Sequence, residues 1–449
     1  MTISQDIIDR TLSTPQGAQA YKIVETLLDA GFEAWWVGGC VRDMLLGNIP
    51  EDIDIATIAV PKDVIKLFKK YDDSAAALGT LIISLKGQAF EVTTFRTDHM
   101  LTDGRIPKSV TFADREEDAH RRDFTVNSMY WNPISGELDD PYMGALDLNE
   151  KMIRFIGYPE ARIKQDALRL LRAIRFRALI GGQFHPSTFA CIHKRSKDIE
   201  ILSGYRRYTE LSKILLGPHP EIAFEDLWET DIIQYLIPEL HACKGVAQPE
   251  SMHKEGDVWN HIIKILGSFT DDHKLDVRWA ALLHDIGKPD TFTLEEDRIH
   301  FNNHAHVGSE LSKKVLERLQ CTAEQRDKIS WLVGHHMMMG TFSEIDDERK
   351  AHWYYHPWFI ELLQLFWLDI AGTEGSNFDF YESVVQDYNA FLDSHPLPPK
   401  PLLTGKDVMK ILGIPSGEEI GRVLKTLYDA QIRKEVTTKK EAEEFIRNI

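Results

Sequence analysis

Cysteine is scarce in this sequence of 449 residues, and long apolar runs are missing from it. The four cysteines are far apart and form no CxxC pair, which argues against disulfides and structural zinc and favours a reducing compartment. No uninterrupted apolar run reaches the roughly 18 residues expected of a transmembrane helix. The N-terminus lacks a basic start followed by an apolar stretch, so no secretory signal is expected. These absences predict a cytoplasmic protein with no membrane partner.

Positive charge is also in short supply. The sequence holds 52 Lys and Arg against 70 Asp and Glu, a formal net charge of −18. Such an excess disfavours indiscriminate binding to nucleic acid. The stretch 160–215 departs from it, with 12 basic and 5 acidic residues. This stretch is consistent both with a solvated helix face and with a local surface for RNA.

Hydrophobic patterning predicts an α+β fold, in which a small mixed α/β head at about 20–150 precedes all-helical domains. Residues 3–31 are predicted to be helical, and 97–108 to be a polar loop containing Gly104 and Pro107. The head is predicted to hold a strand at 33–37, a glycine turn, a helix at 41–46, and strands at 52–57, 80–85 and 89–96.

Three further regions follow the head. Residues 151–240 are predicted to be helical, and 250–375 to be helical and rich in His and Asp. The proline-rich segment 396–401 is predicted to be a linker, because its four prolines cannot continue a helix. Residues 400–449 then form a tail of two or three short helices.

Two glycines and two aspartates stand close together near the start of the predicted head. Gly38-Gly39 separates a predicted strand from a predicted helix, which lets backbone N–H groups approach a phosphate. Asp52 and Asp54 are two residues apart on the next predicted strand, so their carboxylates face one side. Converging carboxylates bind hard cations such as Mg²⁺. Either pair alone is common without a catalytic role, but together they predict metal-assisted chemistry on a triphosphate.

Further residues near these pairs fit nucleotidyl transfer. Arg42 lies in the first turn of the predicted helix, and Glu91, on the strand AFEVTTF, is the candidate for a third carboxylate. In this reaction one metal ion lowers the pKa of an attacking 3′-hydroxyl, and another neutralises the triphosphate and the leaving pyrophosphate. Asp52, Asp54 and Glu91 are therefore the predicted catalytic residues.

The segment GGCVRDMLLGNIPEDIDIAT, at 38–57, resembles the first motif of the class II tRNA nucleotidyltransferases and bacterial poly(A) polymerases. Four later segments resemble, in order, the family's flexible loop, its RRDxxxN motif, the segment that carries EDxxR, and a later helical motif: 103–112, 121–127, 162–172 and 207–213. The resemblance is strong from about 20 to 240 and looser beyond. It implies a polymerase-β-like head.

The resemblance also implies roles in nucleotide binding. Arg121 and Arg122 would contact phosphate, since forked guanidinium groups suit phosphate oxygens. Asp123 and Asn127 would contact the ribose, which favours ribonucleotides. The alternative is that one of the two arginines only pairs with Asp123.

In this family the base is chosen by protein side chains rather than by a template strand. Here these would be Asp166 and Arg169, which their i, i+3 spacing would place on one helix face. The carboxylate would accept from an exocyclic amine and the guanidinium would donate to a ring nitrogen or carbonyl. Arg172 and Arg175 would continue this basic face toward the RNA backbone. Gln165 replaces the usual Glu and can only hydrogen-bond the arginine, which makes base selection less rigid than usual.

A second site is predicted among the histidines of 250–375, which resemble the HD phosphohydrolase superfamily. The minimal ligand set of that superfamily maps to His261, His284, Asp285 and Asp369, and an extended site adds His304, His335 and His336. His304 is preferred over His306 from its position in the motif. Imidazole and carboxylate ligands suit a transition metal such as Ni²⁺, Mn²⁺ or Fe²⁺. The alternative is a helical relic that binds RNA only.

The resemblance implies an enzyme that adds CMP and AMP from CTP and ATP to the 3′ end of tRNA, with Mg²⁺ at the transfer site. CCA-adding, A-adding and poly(A)-adding activities stay open because they share these motifs. The HD domain would be a phosphodiesterase or phosphatase, and the C-terminal helices would hold tRNA by shape and phosphate contacts. A rival of another class is an HD phosphohydrolase with an RNA-binding N-terminal module, against which the intact Asp52 and Asp54 argue.

Overall fold

The structure is a computed structural model that describes residues 1–102, 106–249, 253–296, 298–394, 400–432 and 434–448. The chain divides into two compact units. The first comprises Met1–His241 with Arg318–Cys321, and the second Ala242–Glu317 with Thr322–Ile449. Within the described residues, no helix is both long enough and apolar enough to cross a lipid bilayer.

The first unit begins with two helices, Gln5–Ser13 and Pro15–Asp29, where the sequence predicted one. The break falls at Thr14, whose backbone is extended because a residue before proline disfavours the helical conformation. The Thr14 hydroxyl accepts a hydrogen bond from the Gly17 amide and so caps the second helix. The single predicted helix at 3–31 was therefore wrong at its centre.

The head is built on nine described strands: β1 Ala34–Val37, β2 Asp54–Thr57, β3 Tyr71–Asp72, β4 Thr80–Leu85, β5 Gln88–Thr94, β6 Arg96–Thr102, β7 Ile106–Phe112, β8 Tyr130–Trp131 and β9 Leu138–Asp139. Within the described part, seven of them form one sheet in the order β3-β4-β5-β2-β1-β8-β9. Strands β2 and β5 are parallel, while β1 is antiparallel to both of its neighbours. The side chains of Trp36, Ile55, Phe90 and Trp131 are buried in this sheet. Their packing fills the centre of the sheet and holds the ends of β1 and β2 in place.

The predicted polar loop at 97–108 is instead an antiparallel hairpin of β6 and β7. Asp98 pairs with Val110, and Thr97 with Thr111, in the register of this hairpin. Gly104 and Pro107 suggested a loop, but β-branched threonine and valine on both sides favour strands. Residues 103–105 of the predicted flexible-loop motif lie outside the described residues.

The remaining helices of the first unit are Gly39–Leu45, Pro61–Leu67, Arg115–Arg121, Gly144–Asn149, Pro159–Gln165, Leu168–Ile180, Pro186–Lys194, Gly204–Leu215, Pro220–Glu229, Ile233–Leu236 and Pro238–His241. Short 3₁₀ segments lie at Ala76–Leu78, Thr125–Asn127 and Ser196–Ile201, and two short parallel strands at Met152–Ile153 and Gln183–Phe184. The helix Leu168–Ile180 buries Leu170, Leu171 and Ile174, which leaves its arginines on another face. This helix supplies one wall of the candidate active site.

Among its described residues, the second unit consists of helices and one short hairpin, Thr293–Glu295 with Arg298–His300. Its described helices are Val258–Leu266, Leu275–Leu283, Lys288–Thr291, His304–Arg318, Ala323–His335, Asp347–Tyr354, Phe359–Gly372 and Asp379–Ser394, with a 3₁₀ segment at His336–Glu344. Gly372 lets two of these helices approach closely, because a Cβ at this position would meet Ile265 at 2.4 Å. The close packing of these helices brings histidines and aspartates from different helices together.

Three helices follow in the described part of the tail: Gly405–Leu412, Glu418–Ile432 and Lys439–Arg447. Leu403, Val408, Leu427 and Ile446 belong to a small core of buried apolar residues here. Most of the predicted linker at 396–401 lies outside the described residues.

Candidate active site and candidate metal centre

The turn between β1 and the helix Gly39–Leu45 forms one edge of a large cavity in the first unit. Gly38 has a φ of 76°, which favours glycine. A Cβ on Gly38 would lie 3.5 Å from Nη1 of Arg122, on the side of the cavity. The backbone of the two glycines thus lines the same cavity as the Arg122 side chain.

Carboxylates stand directly beside this turn. Asp54 begins β2 and pairs with Val37, the residue before Gly38. Asp52 lies before the strand rather than on it, which corrects the prediction, but both aspartates line the same cavity. Glu91 lies on the adjacent strand β5, next to the partner of Ile55. Desolvation, followed by the charges of Glu91 and Asp52, raises the pKa of Asp54 to about 6. Such crowding of negative charge suits a divalent cation.

Arg121 and Arg122 of the RRDFTVN motif form ion pairs with one buried aspartate. Asp118 is fully buried and lies 2.8 Å from Nη2 of Arg121 and 3.0 Å from Nη2 of Arg122. The Tyr130 hydroxyl donates to the same carboxylate at 2.7 Å. The alternative that one of these arginines pairs with Asp123 was therefore wrong. Asp118 was missed, although its spacing of three and four residues from the arginines on one helix could have indicated it.

Asp123 and Asn127 belong to a second polar chain. Oδ2 of Asp123 accepts from Nε of Arg172 at 2.6 Å, and its Oδ1 accepts from the Asn127 side-chain amide at 3.3 Å. Nη1 of Arg42 donates to Oδ1 of Asn127 at 2.7 Å. This chain joins the glycine-turn helix to the helix Leu168–Ile180, so the two walls of the cavity are tied together.

The predicted base-reading residues do not share a helix. One helix ends at Gln165, Asp166 is extended with φ −153°, and the next helix starts at Leu168. Asp166 instead accepts a hydrogen bond from the Leu168 amide at 2.9 Å, so a local side-chain-to-backbone turn replaces the continuous helix. Gln165 accepts from Nη1 of Arg169 at 2.8 Å. Asp166 and Arg169 still line the same cavity.

The cavity measures about 770 Å³. Its walls include thirteen of the predicted residues: Gly38, Gly39, Arg42, Asp52, Asp54, Arg121, Arg122, Asp123, Asn127, Asp166, Arg169, Arg172 and Arg175. Glu91 stands on the neighbouring strand rather than among the described lining residues. Asp98 and Phe176 also line it and were missed by sequence reasoning. The Phe176 ring lies under the guanidinium groups of Arg42, Arg172 and Arg175. Its spacing of four residues from Arg172 on one helix was an available signal, whereas the contact with Arg42 has no local one.

Several arginines of the stretch 160–215 pair with carboxylates inside the first unit. Arg175 lies 2.6 Å from Glu210, and Arg206 donates to both oxygens of Asp166 at 2.8 and 3.0 Å. The continuation of a basic face through Arg172 and Arg175 toward the RNA backbone stays a prediction. Arg169, Arg172 and Arg175 line the cavity, and the guanidinium of Arg175 pairs with Glu210.

In the second unit, four predicted ligands converge in an apolar setting. Nε2 of His261 lies 3.0 Å from Oδ1 of Asp369 and 4.0 Å from Oδ2 of Asp285. Nε2 of His284 lies 3.2 Å from Oδ2 of Asp285. His261, His284 and Asp285 are buried. Although burial opposes the charged form, hydrogen bonds to Asp369 and Glu255 raise the pKa of His261 to about 9.

Two more histidines join Asp285. Nε2 of His304 and Nε2 of His336 lie 3.3 Å apart, and each is within 4 Å of Oδ1 of Asp285. His335 points elsewhere: its ring stacks on Trp331 and its Nδ1 lies 2.7 Å from the Trp331 carbonyl. The prediction that His335 belongs to the ligand set was therefore wrong, because adjacent residues of a helical segment point in different directions.

The donor set fits a metal ion. Three groups of side chains place one possible ligand atom each within 4.8 Å of one another, namely His253, Glu255 and His261, then His261, His284 and Asp285, and then Asp285, His304 and His336. Although it lies 3.2 Å from Oδ2 of Asp285, the buried Nε2 of His284 lacks the geometry of a hydrogen bond to any described residue. A metal ion would satisfy this lone pair.

A cavity of about 640 Å³ opens beside this cluster. Lys288 lines it and lies 2.7 Å from Oδ2 of Asp285. His253 and Lys254 line it as well. Sequence reasoning missed these three residues and Glu255; the spacing of Lys288 three residues after Asp285 was an available signal.

Comparison with known proteins matches three consecutive regions. Residues 34–154 match the family described as "Poly A polymerase head domain", 183–244 match "Probable RNA and SrmB- binding site of polymerase A", and 258–358 match "HD domain". The fold and the two sites thus define the class of protein predicted from the motifs: a chain with a poly(A) polymerase head domain, an RNA-binding region and an HD domain.

Among these proteins the chain is similar to CCA-adding enzymes. It is 40% identical over 219 residues to that of Leuconostoc citreum, which covers 49% of this chain and 54% of the relative. It is 38% identical over 263 residues to that of Latilactobacillus sakei, covering 57% of this chain and 66% of the relative. The aligned part thus spans about half to two thirds of these relatives.

A solved structure extends the similarity over nearly the whole chain. The Bacillus stearothermophilus CCA-adding enzyme in complex with CTP aligns with a TM-score of 0.66 and 26% identity, and covers 97% of this chain and 98% of that one. The predicted α+β architecture is therefore confirmed.

Proposed function

We propose that the chain is a template-independent nucleotidyltransferase that completes the CCA end of tRNA from CTP and ATP. The observation that supports this most is one cavity that combines the carboxylates Asp52 and Asp54 with the arginines of RRDFTVN and with Asp166 and Arg169. Groups suited to binding metal, phosphate and base would thus face one nucleotide in this cavity. The relatives named above are CCA-adding enzymes, which favours this activity over A addition or poly(A) addition.

The reaction forms one bond and breaks another. The 3′-hydroxyl oxygen of the RNA attacks the α-phosphorus of CTP or ATP, the bond between that phosphorus and the oxygen bridging to the β-phosphorus breaks, and pyrophosphate leaves. Asp52 and Asp54, with Glu91 beside them, would hold Mg²⁺, which supplies charge neutralisation and lowers the pKa of the hydroxyl. Arg121 and Arg122 orient the triphosphate, since Asp118 holds them at the cavity edge.

Base selection falls to the groups on the opposite wall. Asp166 accepts from the exocyclic amine that cytosine and adenine share, and Arg169 donates to a ring nitrogen or carbonyl. Uracil and guanine present a carbonyl at the corresponding position and are rejected, because two acceptors would meet. Arg206 and Gln165 hold these side chains in place by hydrogen bonds.

For the second unit we propose a metal-dependent phosphohydrolase site held by His261, His284, Asp285 and Asp369, with His304 and His336 completing it. The specific support is the buried, unsatisfied Nε2 of His284 within this donor set. Ni²⁺, Mn²⁺ or Fe²⁺ suits the ligands, and would activate a water for attack on phosphate.

The use of tRNA, CTP and ATP leads us to propose a cytoplasmic location.

One incubation distinguishes CCA addition from poly(A) addition. The chain is mixed with tRNA lacking its terminal CCA, labelled CTP and ATP, and Mg²⁺, and the products are sequenced. We expect two C and one A to be added, after which addition stops. Continued addition of A would instead assign a poly(A) polymerase, and no incorporation would refute nucleotidyl transfer.

Two matched variants test whether the sites are independent. Asp54→Ala should abolish incorporation but leave Mn²⁺- or Ni²⁺-dependent phosphatase activity, whereas Asp285→Ala should do the reverse. Loss of both activities in either variant, with an unchanged melting profile, would contradict two separate sites.

A further inference from the structure

Glu255 is a buried carboxylate shared by two imidazoles. Its side chain is 0% exposed, and its Oε1 lies 3.1 Å from Nδ1 of His261 and 2.6 Å from Nδ1 of His253. Its Oε2 accepts a hydrogen bond from the Glu374 amide at 3.0 Å. This amide bond restrains the carboxylate, so both rings are oriented against a fixed acceptor.

The contact with His261 determines which nitrogen faces the candidate metal centre. Because Nδ1 donates to Glu255, Nε2 is the atom that points to Asp369, at 3.0 Å, and to Asp285, at 4.0 Å. A carboxylate on the far nitrogen of a ligating histidine fixes its tautomer and makes it a better ligand. Glu255 therefore stands where such a partner is needed.

The contact with His253 orients a ring that is not buried in the cluster. The His253 side chain is 17% exposed and lines the cavity beside the centre, together with Lys254 and Lys288. Its Nδ1 is engaged by Glu255, so Nε2 is the nitrogen available to a ligand. Three cationic or hydrogen-bonding side chains around one cavity suit a phosphate group.

We propose that Glu255 is a positioning residue that directs His261 toward the metal ion and His253 toward the phosphate of the bound ligand. This inference rests on the metal centre proposed above. His253 and Glu255 both precede the residues matched to the HD domain, 258–358. The site is thereby extended by a segment outside that domain match.

Metal binding to the full chain tests the role of Glu255. The dissociation constant for Mn²⁺ is measured by titration calorimetry for the unaltered chain, Glu255→Gln and Glu255→Ala. Loss of an outer-shell partner typically costs about 10–100-fold in metal affinity, so we expect weakening in that range, more for Ala than for Gln. Glu374→Gln is the matched control, because the Glu374 side chain pairs with Lys264 and only its amide reaches Glu255. Its affinity should stay within about twofold, because that amide and its bond to Glu255 remain.

Inorganic phosphate tests the role of His253. His253→Ala should leave the Mn²⁺ affinity within about twofold and should weaken phosphate binding to the Mn²⁺-loaded chain about tenfold, the worth of one hydrogen bond to a charged group. Melting curves of the metal-free proteins verify that each variant folds.

The possible failures are distinguishable. If the unaltered chain binds Mn²⁺ and both Glu255 variants bind it as tightly, the positioning role is refuted and the metal centre stands. His284→Ala is the negative control and should bind no Mn²⁺. If the unaltered chain binds no Mn²⁺ either, the proposed metal centre fails, and this inference fails with it. Unchanged phosphate binding in His253→Ala refutes the role of His253 alone.

Discussion

Replacing Asp118 by asparagine removes the charge that holds two arginines at the edge of the nucleotide cavity. The carboxylate is 1% exposed and receives Arg121, Arg122 and the Tyr130 hydroxyl. An asparagine of nearly the same shape keeps one oxygen acceptor but adds an amide that cannot accept from guanidinium. Arg122 then lies partly buried without its counter-charge, and Arg121 keeps only the more distant Asp98, at 3.5 Å.

The cost follows from the pKa of Asp118. Burial raises this pKa, but the charges of Arg122 and Arg121 outweigh burial and lower it from 3.8 to about 2. A shift of this size corresponds to about 2 kcal/mol of stability at neutral pH. Since the folded pKa is depressed, this stability is present above about pH 4 and is lost as pH falls toward 2. Stranding the arginines adds to it, so we expect a total loss of about 3–5 kcal/mol.

Urea unfolding followed by tryptophan fluorescence at pH 7 measures this loss, in the transition that reports the first unit. Nucleotide binding gives a second readout, because misplaced arginines should raise the KM for CTP about tenfold or more, the equivalent of one hydrogen bond to a charged group. Glu117→Gln is the matched control: it removes the same charge from the exposed face of the same helix and should change stability by less than about 0.5 kcal/mol. A loss below about 1 kcal/mol for Asp118→Asn with an unchanged KM would refute this account.

Other consequences concern both sites. Since the pKa of Asp54 is raised to about 6, its carboxylate form is lost as pH falls through 6, and the Mg²⁺ concentration for half-maximal transfer should rise about tenfold between pH 7 and pH 5; an unchanged requirement would contradict this. Gln165→Glu should hold Arg169 by charge and lower misincorporation of UMP and GMP several-fold in competition assays, whereas an unaltered ratio would assign selection elsewhere. His336→Ala should weaken Mn²⁺ binding at least tenfold and His335→Ala should not; equal effects would restore His335 as a ligand.

Local sequence was sufficient for much of the first site. Gly38 and Gly39 must turn sharply between a strand and a helix, and Asp52 and Asp54 follow at a spacing that brings both to one cavity. These features depend on residues close together in the chain, where glycine φ preferences and strand periodicity apply. The motif order then predicted the family, which the domain matches confirm.

Partner choice was decided by the tertiary structure. The motif arginines pair with Asp118 rather than with Asp123. Asp123 is bound by Arg172, which lies 49 residues further along the chain. The helix break at Asp166 brings that carboxylate to Arg206, 40 residues away. Neither contact has a local signature, because helix periodicity relates only residues three or four apart.

In the second unit, composition predicted a metal centre but could not assign every ligand. His335 and His336 are adjacent and chemically identical, yet one stacks on Trp331 and the other joins Asp285. Glu255 reaches His261 from a segment without a recognised motif. The sequence by itself determined which kinds of ligand were present, and the packing of distant helices decided which of them meet, because only their crossing sets the direction of each side chain.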